Sequence, residues 1–340
     1  MSQSPFLILA IESSCDDTSA AVLQNSNVLS NIVAGQKVHE FYGGVVPELA
    51  SRAHQQNIIP VVHKALQDAG IAKHQLNAIA VTMGPGLAGS LHVGIAFAKS
   101  MSIGLNIPFI EVNHMQAHIL AHFIDDAGTE KPNFPFLCLT VSGGHTQIVR
   151  VDNYTEMHVI GKTIDDAAGE AFDKAAKVLG LPYPGGPLVD KHAQLGNPER
   201  FSFPHPSVKG LDYSFSGLKT SLLYFLRDQQ ALDVDFIDKN LNDICAGYQN
   251  AVVSFLLSKL KKASKETGIK QIAIAGGVSA NSLLRKELSN LSSQLRWKVF
   301  IPKFEYCTDN AAMIGIAGYF KLLDKDFANL NAAPQSRMVF

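Results

Sequence analysis

Only four cysteines occur in 340 residues, Cys15, Cys138, Cys245 and Cys307, and no two of them form a C-x-x-C pair. That scarcity fits a reducing cytosol better than a disulfide framework, so a cytoplasmic location is expected. An excess of either charge is lacking too: 29 Lys and Arg stand against 30 Asp and Glu, a formal net charge of −1. Without a global basic field, nucleic-acid binding needs a local patch or a partner's charge. The lysines from Lys259 to Lys270, with Arg285, Lys286, Arg296 and Lys298, are candidates, and a solvated helix face explains them about as well. No apolar run is long enough to span a membrane, and Phe6 to Ile11 is short and lacks the basic flank of a signal peptide. The last absence is chemical. Two histidines four apart in Asn113-His114-Met115-Gln116-Ala117-His118 can reach one metal ion from a single helix face. The glutamate that would complete H-E-x-x-H is missing, because Met115 holds its place, and the zinc-protease reading is disfavoured. A pair of helix histidines that only hydrogen-bond or face solvent is the plainer alternative.

The length exceeds that at which single cores stop growing, and 46% hydrophobic content supports two sizeable ones. Phe6 to Ile11 and Ser19 to Leu23 read as a hairpin whose turn, Glu12 to Thr18, carries carboxylates and hydroxyls. Pro47 starts a helical pattern that Gly70 stops. Ala78 to Met83 is a buried strand running into Gly84-Pro85-Gly86 and a helix to Ile103, an order that brings backbone N–H groups up to a ligand. A strand around Pro108 to Val112 leads into the histidine helix. The same order then starts again. Phe136 to Val141, the loop Ser142 to Thr146 and Gln147 to Val151 echo the first hairpin; Ile272 to Ala275, Gly276-Gly277 and the helix from Ser282 echo the glycine turn. Val299 to Pro302 is the last strand, and Thr308-Asp309-Asn310 caps a helix to about Leu323.

This pattern predicts a duplicated, two-lobed α/β protein with lobes at 1–134 and 135–340 and a helical insertion at about 161–270. Within the insertion, Pro204-His205-Pro206 and Lys209 to Thr220 read as an irregular, mobile segment, and a long helix from about Leu241 to Lys265 closes it. By the internal correspondence, Asp309 stands where His114 stands in the first lobe and is the candidate third ligand. Two histidines and one carboxylate leave coordination positions open, which suits a catalytic or substrate-orienting Fe(II) or Zn(II). The glycines at Ser142 to Gly144, Gly185 to Gly186 and Gly276 to Gly277 permit close backbone approach to a nucleotide or acyl phosphate, although each could serve only a tight turn. Asp173 and Asp190 could bond ribose hydroxyls or a substrate amine, or be solvated charges.

Many of these stretches, in this order, resemble the bacterial TsaD family of tRNA adenosine threonylcarbamoyltransferases, formerly called sialoglycoprotein endopeptidases. The resemblance is carried by Ile11 to Thr18, Gly44 to Arg52, Gly84 to Leu87, Asn113 to His118, Val141 to Thr146, Asp165 to Asp173, Tyr183 to Pro187, Phe215 to Thr220, Gly276 to Asn281 and Thr308 to Asn310. It implies an actin-like, Hsp70-like (ribonuclease H-like) ATPase fold. It further implies that His114, His118 and Asp309 hold one divalent metal, Fe(2+) before Zn(2+), and that Thr140, Val141, Ser142, Gly143, Gly144, Asp173, Gly186, Asp190 and Asn281 contact threonylcarbamoyl-AMP. The implied reaction moves the threonylcarbamoyl group to the N6 amine of adenosine 37 in tRNAs reading ANN codons and releases AMP, with a TsaB-like paralogue and a TsaE-like ATPase as partners. Glu12 is the expected acceptor of the amine's proton. Ala117 and Ala311 stand where the family more commonly has glycine, and both are small. A metalloprotease, a sugar kinase or ATPase of the same fold, and a non-catalytic regulatory subunit are the competing classes; the last would be expected to lose the ligand histidines, which this chain keeps.

Overall fold

The apolar run at the start of the chain becomes β1 (Leu7–Glu12), the centre of a mixed five-stranded sheet, in a computed structural model that describes residues 5–126, 128–205 and 208–340. Residues 8–12 are wholly buried, as a central strand covered on both faces requires. β1 pairs antiparallel with β2 (Thr18–Gln24), which pairs with β3 (Asn27–Ala34), and parallel with β4 (Ala78–Gly84), which pairs with β5 (Phe109–Asn113). α1 (Pro47–Ala69) and α2 (Ala88–Leu105) connect them, and α3 (His114–Leu120) follows β5 directly.

The second sheet repeats this plan. β6 (Phe136–Val141) is flanked by antiparallel β7 (Thr146–Val151) and then β8 (Met157–Lys162), and on its other side by parallel β9 (Gln271–Ala275) and then β10 (Lys298–Phe300). The orders β3-β2-β1-β4-β5 and β8-β7-β6-β9-β10 are the same order twice, so the expected duplication and fold class are borne out. Between β8 and β9 lie α4 (Ala168–Val178), α5 (Gly185–Ala193), α6 (Ser216–Gln230) and α7 (Phe236–Thr267); α8 (Ser282–Leu295) lies between β9 and β10, and α9 (Ala311–Leu323) follows.

Four features differ from the sequence reading. The chain divides into two compact units, one of the described residues of Met1–Pro132 with Asn153–Met157 and Pro302–Phe340, the other of Asn133–Asp152 and His158–Ile301. A second lobe of 135–340 therefore loses its last segment to the first unit. The cause is α9, whose residues 311–318 are all buried and pack on β1, β2 and β4; a helix apolar on every side must sit inside a core. Asp309 consequently lies well beyond β10, not at its end. Ser216 to Thr220, expected to be irregular, opens α6, because Leu218, Leu222 and Leu226 recur on one buried face and the Asp165 carboxylate accepts from Phe215 N at 2.8 Å and from the Ser216 hydroxyl at 2.8 Å. Before it, the buried Lys259 ammonium holds the carbonyls of Val208 and Gly210 at 2.7 and 2.9 Å; Pro206 of that stretch lies outside the described residues. Lys259 is thus committed within the chain and drops out of the basic candidates. The strands β3 and β8 were not anticipated, since both are only part-buried and mix polar with apolar residues.

Candidate functional site

The histidine stretch folds as its spacing predicts. Asn113 caps α3, its Oδ1 accepting from Met115 N at 2.9 Å and Gln116 N at 3.2 Å, so His114 occupies the first helical position and His118 the fifth. Both rings are buried, and Asp309, just before the α9 cap Asn310, faces them. Asp309 Oδ1 stands 3.4 Å from His114 Nε2 and 3.3 Å from His118 Nε2. Ligands bound at about 2.0–2.2 Å in tetrahedral geometry lie about 3.3–3.6 Å apart, so these separations are those of one coordination shell. A second observation agrees. Both ring nitrogens of His118 are buried and, among the described residues, neither makes a well-formed hydrogen bond, Asp309 Oδ1 at 3.3 Å being the near neighbour of Nε2; an ion there relieves part of that cost. The Asp309 side chain keeps 27% of its exposure, which leaves the cluster open on one side.

Behind His114 stands Glu12, wholly buried at the end of β1. One of its oxygens accepts from Ser14 N, and the other accepts from the Thr82 hydroxyl and lies 3.1 Å from His114 Nδ1; Ser14 Oγ is 3.2 Å from the same nitrogen. This is the carboxylate–histidine arrangement that fixes ring orientation at metal centres. Both Glu12 oxygens are engaged in this arrangement. Ser14 and Thr82, which complete it, were missed in the sequence because a single hydroxyl carries no spacing signal. Nearby, burial and the carboxylates of Asp16, Asp309 and Glu12 push the Asp17 carboxyl up to about 7.

The electrostatics of the cluster set its response to pH. Burial works against a charged His114, but the Asp309 and Glu12 carboxylates on either side outweigh it and hold its pKa well above the usual value. Burial depresses His118. Asp309 is held far below the usual carboxylate range, the two histidines overcoming its burial. At pH 7 the metal-free cluster therefore carries one proton, on His114. An entering divalent ion must displace it, so apparent affinity rises with pH until the raised pKa of His114 is passed. Calorimetry in buffers of different ionisation enthalpy should show about one proton released per ion at pH 7, and less in Glu12→Gln, where the His114 pKa falls back. Release of no proton by the unaltered protein would contradict this.

The remaining sequence candidates meet in the second unit, at the C-terminal ends of the neighbouring parallel strands β6 and β9, the place where open α/β sheets bind ligands. They form a closed circuit. Thr140 and Val141 end β6, and the Ser142 carbonyl accepts from Gly169 N at 3.2 Å in the first turn of α4. One turn on, Asp173 Oδ1 accepts from Gly185 N and Gly186 N at 2.9 and 3.1 Å and so caps α5. Asp190 of α5 accepts from the Ser282 hydroxyl at 2.6 Å and from Ser282 N, tying α5 to the start of α8. Asn281 caps α8 through Leu284 N at 3.0 Å and donates to Gln249 Oε1 at 2.8 Å. Gly276 returns the circuit to β6: its φ is +87°, and a Cβ there would stand 2.4 Å from the Val141 carbonyl oxygen. Gly143 and Gly144 are exposed at the rim. Asp173, Asp190 and Asn281 thus spend at least one polar atom each on the frame, which their sequence spacing did not reveal. The matching glycine turn of the first unit, expected to face a ligand, is instead satisfied within the chain: Gly86 N donates to the Ser336 carbonyl at 3.2 Å and Leu87 N to that of Ser14 at 2.7 Å.

Two α/β units that repeat one strand order are the actin-like, Hsp70-like class of fold, here carrying a His-His-Asp cluster on one unit and a ring of helix N-termini on the other. The solved structure of full-length HypF in its phosphate- and nucleotide-bound form shares that fold, with a TM-score of 0.59 over 94% of this chain and 46% of that one at 15% identity. HypF of T. kodakarensis matches equally, with a TM-score of 0.59 over 98% of this chain and 49% of its own. Residues 27–316 match the TsaD family, described as tRNA N6-adenosine threonylcarbamoyltransferase. A protein of that name from Christiangramia forsetii is 65% identical over the full length of both chains, and one from Porphyromonas gingivalis is 60% identical over 98% of each. The chain belongs to this family of transferases, as its motifs led one to expect. No helix among the described residues is long and apolar enough to cross a membrane.

Proposed function

We propose that the chain transfers the threonylcarbamoyl group of threonylcarbamoyl-AMP to the exocyclic N6 amine of adenosine 37 in tRNAs reading ANN codons, and releases AMP. Family membership over the whole length supports the transfer. The observation that carries the detailed reading is the convergence of His114, His118 and Asp309 on one point with spacings of 3.3 and 3.4 Å. These three would hold one divalent metal, Fe(2+) by resemblance and Zn(2+) by tolerance of the donor set. When bound, it supplies a Lewis acid and an orienting point for donor oxygens.

The chain's own residues do the rest. The N-termini of α4, α5 and α8, gathered by the circuit from Ser142 through Gly186 to Asn281, bring positive dipole ends together in an arrangement suited to the adenylate phosphate. Fixed dipoles of this kind also stabilise charge as the carbamoyl–phosphate bond breaks. The N6 amine is a weak nucleophile, so holding it in line with the carbamoyl carbon contributes most. Glu12 keeps the His114 ring turned so that Nε2, not Nδ1, faces Asp309. With a net charge of −1 the chain attracts a polyanion weakly, which supports a TsaB-like paralogue and a TsaE-like ATPase as partners in tRNA engagement. Nucleoside analysis of tRNA from cells depleted of this protein tests the reading: threonylcarbamoyladenosine should fall. An unchanged level, in cells lacking a second protein of this family, would defeat it.

A further inference from the structure

We infer that residues 335–339 form a strap that positions the metal-binding helix through the side chain of Asn113. The amide of Asn113 faces two ways. Its Oδ1 caps α3, and its Nδ2 donates to the Val339 carbonyl at 3.0 Å. The strap is also held at β4 and the turn after it: Gln335 N donates to the Met83 carbonyl at 2.9 Å, Gly86 N to that of Ser336, and Met338 packs against the first unit's core. Its path requires glycine at position 84, where a Cβ would stand 1.9 Å from the Gln335 carbonyl oxygen. Asn113 is 5% exposed, so no water competes freely for its Nδ2.

The consequence follows from the length of α3. Seven residues are too few for a helix to hold itself, and its order depends on its cap and its packing. His114 is the residue after Asn113 and His118 lies one turn on, so rotation of the Asn113 amide away from Met115 N and Gln116 N would release the cap of the turn that carries both imidazoles. The Val339 carbonyl fixes that rotation. Asn113 and the strap are thus positioning elements for a centre they do not touch, and the inference rests on the metal reading given above.

The test uses the full chain, a chain ending at Pro334, Asn113→Ser and the combination, each first shown to be folded by its thermal transition. Serine keeps a capping oxygen and removes only the Nδ2 donor. Loss of one such buried hydrogen bond should weaken Zn(2+) binding by about three- to tenfold in the truncated chain and in Asn113→Ser alike, and the combination should be no weaker. Amide exchange in 117–120 of the metal-free protein should quicken by a similar factor in all three variants. Unchanged affinity and exchange, or losses that multiply in the combination, would overturn the strap. If the unaltered chain binds no Zn(2+), the metal reading fails, and the exchange rates alone decide whether the strap holds α3. Should the truncated chain not fold, Asn113→Ser with its exchange measurement decides.

Discussion

Asp309→Ala should lose stoichiometric metal binding and slow threonylcarbamoyl transfer by more than the roughly 10–100-fold that loss of an outer partner costs a metal centre. Asp309 Oδ1 lies within 3.4 Å of a nitrogen of each imidazole, so its removal takes away the ligand that faces the two histidines. It also leaves His114 beside a single carboxylate, Glu12, and so lowers the proton affinity of the metal-free ring. Adenylate binding, which is read in the second unit, should be little altered. Metal content by mass spectrometry and single-turnover transfer check both parts. A variant that keeps one ion per chain, or that transfers at the original rate, would show that the cluster is not the metal centre.

Gly276→Ala is expected to damage the second unit strongly, because a positive φ and a close backbone oxygen coincide there. At φ +87° an alanine is strained by about 1–2 kcal/mol, and its Cβ would meet a backbone oxygen at 2.4 Å, an overlap that costs about 1–3 kcal/mol more. The backbone must shift, and with it the turn that carries Ser279 and Asn281. Nucleotide affinity should therefore fall at least tenfold while metal content stays at that of the unaltered protein. Titration with AMP and denaturant unfolding measure the two effects. Normal AMP affinity with a normal unfolding midpoint would remove the circuit from the account.

The two predictions differ in how far the sequence alone supports them. The four-residue spacing placed His114 and His118 on one helix face, because that signal is local. The recurrence of strand, small polar loop and strand at Phe136 exposed the duplication for the same reason. Membership of α9 in the first unit was not legible, since it depends on which sheet a wholly apolar helix covers, and the sequence carries no address for that choice. The contacts of Glu12 were not legible because they come from Ser14, Thr82 and His114, the last two separated from it by 70 and 102 residues. Asp173 and Asp190 were read as ligand contacts or solvated charges, and the structure shows that they also cap and tie helices. Edge strands such as β3 and β8 lack both the continuous apolar run of a central strand and a clean alternation.

The most direct test of the central claim follows the transferred group. Purified protein with its partners, given unmodified tRNA and donor labelled in the threonylcarbamoyl group, should produce AMP and labelled N6-modified adenosine at position 37 in a one-to-one ratio. AMP released without label in the tRNA, histidine-dependent cleavage of a peptide, or phosphorylation of a sugar without tRNA modification would contradict it.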